Sequence, residues 1–147
     1  MDDSYNLQRF VDAQDPVYDQ VRSELQQGCK TSHWMWFIFP QIQGLGHSYL
    51  ARKFAISSPE EARAYLDHPV LGARLVECTT LVMNVTGRTI DQIFGYPDDL
   101  KFHSSMTLFA HTTGDNHIFE DALQKYFGGE HDRLTLEGLG NNSGIDT

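Results

Sequence analysis

The segment Gly44-Leu45-Gly46-His47-Ser48 has the composition of a loop that binds an anion. Two glycines allow the backbone to approach a ligand closely, because glycine has no Cβ. If a helix begins at His47, its first main-chain N–H groups lack partners and can donate to a phosphate or carboxylate. The alternative is a tight turn followed by an ordinary helix start, since a lone Gly-x-Gly pattern is common. Gly44, Gly46, His47 and Ser48 are therefore candidate ligand-binding residues.

The aromatic run, residues 33–39, places an imidazole beside several large rings. Neighbouring rings can shift the pKa of an imidazole base, and an aromatic ring can stack on a planar group of a ligand. We therefore interpret His33 as a candidate proton-transfer residue, and Trp34 and Trp36 as candidate stacking residues. Gln41 follows the run at a loop entry, where its amide can read the donors and acceptors of a ligand. The alternative is that both tryptophans belong to the core.

Lys101 precedes Ser104 by three residues, so the two side chains lie on adjoining faces if this segment is helical. A serine and a lysine so placed can act as nucleophile and base, or can bind an anion. The order is the reverse of the Ser-x-x-Lys order of known hydrolases, so it gives no motif support. The alternative is that Ser104 and Thr107 donate to carbonyls of their own helix. Lys101 and Ser104 join His33 as candidate catalytic residues.

The histidines and cysteines are not spaced like the ligands of a known metal site. None of the seven histidines forms an HxxxH or HExxH pair, and the two cysteines, Cys29 and Cys78, lie far apart. We predict no metal and no cofactor. Both cysteines are interpreted as reduced packing residues.

These segments suggest one hypothesis. We expect the aromatic run, the glycine loop and the Lys101 helix to meet at a cleft that binds a small anionic molecule, such as a nucleotide or an ADP-ribose-like ligand. The loop amides would hold phosphate, a tryptophan would stack on a base, and Gln41 would orient the ligand. The sequence leaves open whether the protein is an enzyme. The alternative is a non-catalytic helical protein-interaction module, in which the same aromatics form a core or a docking patch.

Helical spacing of apolar residues runs through most of the chain. Val17, Val21 and Leu25 recur every four residues, and Ser58-Pro59-Glu60-Glu61 combines a hydroxyl cap, a first-turn proline and two acids. Roughly two-thirds of the residues fall in helix-like windows, about twice the usual share. We predict a mainly α fold, a compact single-domain orthogonal bundle of about six to eight helices. Residues 6–139 should form the folded core of a single domain spanning residues 1–147, and residues 140–147 a frayed tail.

Several motifs together resemble one family. They are the run His33 to Gln41, then Gly44-Leu45-Gly46, Ser58 to Ala62, Tyr65 to Gly72, Ile93 to Lys101, and Ser104 to Phe109. From Asn6 to Leu139 the chain resembles the bacterial "domain of unknown function 1810" family. The resemblance implies a compact, mainly helical single domain and no established reaction. Some members carry a calpastatin-like label, but such an inhibitor is disordered and rich in proline, whereas this chain has five prolines and a patterned core.

Composition excludes several classes of partner. A net charge of −9 argues against nucleic-acid binding, which needs clustered lysine and arginine. A small anionic ligand stays compatible with this charge, because a pocket needs only local positive potential.

The longest apolar run, Trp34–Phe39, is far shorter than the roughly 18 residues of a membrane span. The acidic start, Met1-Asp2-Asp3-Ser4, is unlike a secretory signal, so we expect a cytoplasmic protein with no membrane partner.

Overall fold

Ten helices make up the part of the chain that the computed structural model describes, residues 3–114 and 117–142. They are α1 (Gln8–Gln14), α2 (Tyr18–Gln27), α3 (Met35–Ile38), α4 (Tyr49–Lys53), α5 (Pro59–Asp67), α6 (Leu71–Met83), α7 (Ile90–Phe94), α8 (Asp98–Ala110), α9 (Ile118–Phe127) and α10 (Arg133–Asn142). Helix accounts for 62% of the structure, and none of the described residues lies in a β-strand. The prediction of a mainly α fold is confirmed.

The number of helices exceeds the predicted six to eight, because several of them are about one turn long. Helices α3, α4 and α7 contain four, five and five residues. A single turn holds too few apolar repeats for a period of 3.6 residues to reveal it. The aromatic run, whose pattern fits either a strand or a helix, folds as α3 and leaves the helix at Phe39.

Local sequence fixes several helix ends. The Ser58 hydroxyl accepts a hydrogen bond from the Glu61 amide at 3.1 Å, which confirms the predicted cap of α5. Helix α2 ends at Gly28, whose φ of +72° lies in the left-handed region that favours glycine.

Helix α8 is the centre of the fold, because it is covered on nearly every side. Every residue from Ser104 to Phe109 is buried. The helix packs against α7, α9 and α10, while α6 packs against α2, α5 and α9. Polar side chains on a covered helix are out of reach of water and need partners inside the protein. The hydroxyls of α8 therefore do not form a solvent-exposed face.

The end of the chain and the two cysteines differ in part from expectation. Helix α10 continues to Asn142, so the first part of the predicted frayed tail is helical, and residues 143–147 lie outside the described residues.

Both cysteines are free. Cys78 is buried, but Cys29 is exposed and is therefore not a packing residue. Cys29 directly follows the left-handed Gly28, where the chain turns away from α2. No helix in residues 3–114 or 117–142 has the length and apolar character needed to cross a bilayer.

Candidate functional site

The buried carboxylate of Glu24, on α2, anchors the aromatic run. Its Oε1 accepts a hydrogen bond from Trp34 Nε1 at 2.9 Å. Burial favours the neutral acid, but four hydrogen-bond donors, led by the Ser32 hydroxyl, lower the pKa of Glu24 to about 2. Trp34 is only 1% exposed, so it belongs to the core and cannot stack on a ligand. The half-buried Trp36 is the remaining candidate for stacking.

Trp36 faces the ammonium group of Lys101. Lys101 Nζ lies 5.1 Å from the centre of a Trp36 ring and 3.3 Å from Asp98 Oδ1. The other oxygen of Asp98 lies 2.7 Å from Nζ of Lys30, whose side chain is 8% exposed. One carboxylate is thus shared by two ammonium groups, which leaves this cluster with a net positive charge and leaves Lys101 with donors to spare.

A cavity of about 270 Å³ lies where α8, the glycine loop and the start of α10 meet. Its polar lining consists of Gln41, Gly46, Lys101, Ser104 and Asp132. Its apolar lining consists of Leu45, Pro97, Leu100 and Leu134. The structure therefore brings together four residues that the sequence singles out, and Trp36 adjoins them through its contact with Lys101.

Ser104 and Asp132 form the deep polar side of this cavity. Ser104 Oγ lies 3.1 Å from Asp132 Oδ2 and 3.1 Å from the carbonyl oxygen of Leu100, one turn earlier in α8. Asp132 Oδ2 also accepts from the Thr135 amide at 3.0 Å, which caps α10. Among the described residues, Asp132 Oδ1 accepts no hydrogen bond, so it is available to a ligand.

The pairing of Ser104 with Lys101 as nucleophile and base is not formed. Lys101 Nζ contacts Asp98, and no described contact joins it to Ser104. Ser104 instead adopts the alternative foreseen from the sequence, a hydroxyl bonded to the carbonyl of its own helix. Thr107 does the same with His103 at 2.9 Å.

His33 lies apart from the cavity. It is exposed, and it is not among the residues that line the space next to Lys101. The structure therefore does not bring the proposed proton-transfer residue to the proposed ligand. The physical reason is that the neighbouring Trp34 turns inward to Glu24, which leaves His33 on the outside of the loop.

The glycine loop has structural reasons for its two glycines. Gly44 has a φ of +94°, and a Cβ on Gly46 would lie 2.7 Å from the Cβ of Ala51. The helix that follows begins at Tyr49, not His47, and has five residues. Ser48 caps it, since its hydroxyl accepts from the Ala51 amide at 3.1 Å. Such a short, already capped helix offers little of the predicted phosphate cradle.

A second cavity lies on the glycine loop and shares one wall residue with the first. It measures about 490 Å³ and is lined by Gln43, Gly44, Gly46, His47, Arg52 and Ala55. Gly46 also lines the cavity beside Lys101. Gly44 and His47 therefore border this second space and not the first.

Sequence reasoning missed three charged residues that shape the site. They are Lys30, Asp98 and Asp132. The spacing of Asp98 and Lys101, three residues apart, was the one local signal of an ion pair. The contacts of Lys30 and Asp132 cross between elements and leave no local pattern. Among the described residues, no group of three or more histidine, cysteine or acidic side chains is placed to hold a metal ion.

The fold and the site define a small helical protein with a polar cavity against its central helix. Residues 4–139 match the family model described as "Protein of unknown function (DUF1810)". The match spans most of the chain, so the protein belongs to this family, and the resemblance noted in the sequence is confirmed.

A solved structure shares this fold. The conserved hypothetical protein Rv1873 from Mycobacterium tuberculosis is 57% identical to this chain, with a TM-score of 0.93. The match covers 94% of this chain and 99% of that chain. A comparison with curated proteins returned no match.

Proposed function

We propose that the protein binds a small anionic ligand of the nucleotide or ADP-ribose-like class in the cavity beside Lys101. The observation that supports this most strongly is the cavity that Gln41, from the loop after α3, shares with Lys101 and Ser104 of α8. A concave site with a few convergent polar groups is the usual form of a small-molecule site.

The charges of the cavity suggest how such a ligand would lie. A phosphate group would be placed at Lys101, whose ammonium keeps donors beyond its contact with Asp98. The carboxylate of Asp132 would repel phosphate but would accept hydrogen bonds from sugar hydroxyls through Oδ1. The side-chain amide of Gln41 has no hydrogen-bond partner among the described residues and can read a donor and an acceptor on the ligand.

The size of the cavity limits the ligand. Its volume of about 270 Å³ lies just below the range of roughly 300–1,000 Å³ usual for drug-sized ligands. One sugar phosphate or nucleoside part fits this space. A longer ADP-ribose-like ligand would need to extend past Gly46 toward Arg52 in the neighbouring cavity.

The proposal concerns binding and does not include a reaction. Ser104 shares its hydroxyl between Leu100 and Asp132, and Lys101 is directed to Asp98. Neither arrangement is that of an activated nucleophile with its base.

A protein-interaction role remains the second candidate, and one observation favours it. Two of the apolar side chains that line the same cavity are largely exposed, Leu134 at 59% and Leu100 at 51%. Exposed apolar groups of this kind mark contact surfaces for proteins as well as for ligands. On this second hypothesis these exposed side chains, and not the polar lining, are the functional part.

A thermal-shift experiment with ADP-ribose, AMP and ribose 5-phosphate separates the two. A ligand present at 100 times its Kd stabilises the native state by about 2.7 kcal/mol, which corresponds to a rise in Tm of roughly 5–10 °C. We expect at least one probe to raise Tm in the wild type and to lose this effect in Lys101→Met. Lys53→Met, which removes an exposed lysine from α4, is the matched control and should respond like the wild type. An unchanged Tm with all three probes would argue against the ligand and leave the exposed apolar side chains as the better candidate.

A further inference from the structure

Two histidines from different elements face each other at the end of α8; neither lines the Lys101 cavity, although His131 directly precedes Asp132, which does. His111 caps the end of α8, and His131 lies in the segment between α9 and α10. Nε2 of His111 and Nδ1 of His131 are 2.9 Å apart, and the ring planes are inclined at 75°. Because two protonated nitrogens cannot approach so closely, one of the two must present a lone pair to the other.

Glu120, on α9, indicates which nitrogen that is. Its Oε2 lies 3.7 Å from Nε2 of His131, on the side of the ring opposite His111. This carboxylate favours a proton on Nε2 of His131 and leaves the Nδ1 lone pair directed at His111.

We propose that His111 and His131 form a two-histidine site for a divalent transition-metal ion such as Ni²⁺ or Zn²⁺, completed by water. Imidazole nitrogens bind these ions at about 2.0–2.1 Å, so two cis ligands of an octahedral ion lie about 2.9 Å apart and two tetrahedral ligands about 3.3 Å apart. The observed separation of 2.9 Å is that of a hydrogen bond between the rings and equals the octahedral value, so the rings need to turn toward the ion and, in the tetrahedral case, also to separate slightly. Glu120 is the outer partner that orients His131.

Binding of the ion requires the proton of His111 to move from one ring nitrogen to the other. Nδ1 of His131 already offers its lone pair, and His111 must move its proton from Nε2 to Nδ1 before both nitrogens can bind the ion. This tautomer change releases no proton. The inference is independent of the proposed function, since neither histidine lines the cavity beside Lys101.

A bound ion would join the end of α8 to the segment that enters α10. That segment is already held to α8, because the Asp132 amide donates to the Thr107 hydroxyl at 2.8 Å. Metal binding should therefore raise the stability of the protein and not merely occupy its surface.

The test is calorimetric titration of chelator-treated protein with NiCl₂, ZnCl₂ and MgCl₂, with Tm measured alongside. We expect Ni²⁺ or Zn²⁺ to bind and to raise Tm, and Mg²⁺, which prefers oxygen ligands, to have no effect. His111→Gln and His131→Gln should each weaken binding at least tenfold, and Glu120→Gln by about tenfold or less. His47→Ala, a change of another exposed histidine, should bind like the wild type.

Two kinds of result would overturn the site. One is a wild-type protein that binds neither ion. The other is binding that survives His111→Gln and His131→Gln, or that is lost in His47→Ala, because the ion would then be held elsewhere.

Discussion

Lys101 and Asp98 lie one turn apart on α8 and form an ion pair, with Nζ 3.3 Å from Oδ1. Asp98 is not free to serve Lys101 alone, because its second oxygen lies 2.7 Å from the Nζ of Lys30. The pair with Lys30 is the better enclosed of the two, which makes Asp98 a structural anchor and leaves Lys101 as the cation that a ligand can reach.

Asp98→Asn should therefore destabilise the protein more than Lys101→Met. Removal of the carboxylate leaves the 8%-exposed Lys30 without its partner, and we expect a loss of about 1–3 kcal/mol. Lys101→Met breaks only a part-exposed pair and should cost less than about 1 kcal/mol. Urea unfolding of the two variants measures the difference, and the reverse order would refute the shared-carboxylate arrangement.

Glu24→Gln should destabilise the protein at neutral pH. The carboxylate accepts hydrogen bonds from the Trp34 indole and the Ser32 hydroxyl, among others, and an amide would turn an N–H group toward these donors. We expect a loss of about 3 kcal/mol in the free energy of unfolding, measured in urea at pH 7. Gln20→Ala, which removes one outer donor to the same carboxylate, is the milder comparison.

The acid sensitivity of the protein should also depend on Glu24. Its pKa is lowered from 4.5 to about 2, so the stability it contributes is complete above pH 4.5 and is lost as the pH falls toward 2. In Glu24→Gln this part of the pH dependence should disappear. A variant that loses stability between pH 4.5 and 2 as steeply as the wild type would contradict the assignment.

Ser105→Ala should stabilise the protein. The hydroxyl of Ser105 is buried in α8 and has no hydrogen-bond partner in residues 3–114 and 117–142, so its desolvation is uncompensated. Alanine also has the higher helix propensity, and together these effects should add roughly 1 kcal/mol. Ser104→Ala is the control, since Ser104 does have partners and its loss should not stabilise. A lower Tm for Ser105→Ala would show that its hydroxyl has an unrecognised role.

Gly46→Ala should destabilise the loop that separates the two cavities. Its Cβ would lie 2.7 Å from the Cβ of Ala51, a contact that requires α4 to move. We expect a cost of about 1–3 kcal/mol, typical of overpacking. Gly114→Ala is the matched control, because nothing lies within 4 Å of its added Cβ and its φ is not in the left-handed region. Equal stability of the two variants would contradict the packing account of Gly46.

The sequence predicts much of the fold because the long helices depend on local information. Apolar spacing predicts α2, and the Ser58 cap predicts the start of α5. One-turn helices such as α4 carry no such repeat, and this is why the sequence did not reveal that the helix after the glycine loop begins at Tyr49 and has five residues.

The site was predicted in part. The convergence of Gln41, Lys101 and Ser104 was expected from their chemistry and is what the cavity shows. Trp34 adopts the core alternative that the sequence left open, but an indole in a short aromatic run gives no sign that its N–H will find a buried carboxylate on α2. Asp132 could not be placed opposite Ser104, since the two meet only through the packing of α10 on α8.

The most direct test of the account is an NMR titration of ¹⁵N-labelled protein with ADP-ribose. We expect the largest changes in amide shift at Gln41 to Gly46, around Lys101 and Ser104, and at Asp132. These changes should be absent in Lys101→Met. Saturating ADP-ribose that leaves these amides unmoved, or that moves only those around Arg63 and Gly72 at the separate cavity between α5 and α6, would contradict it.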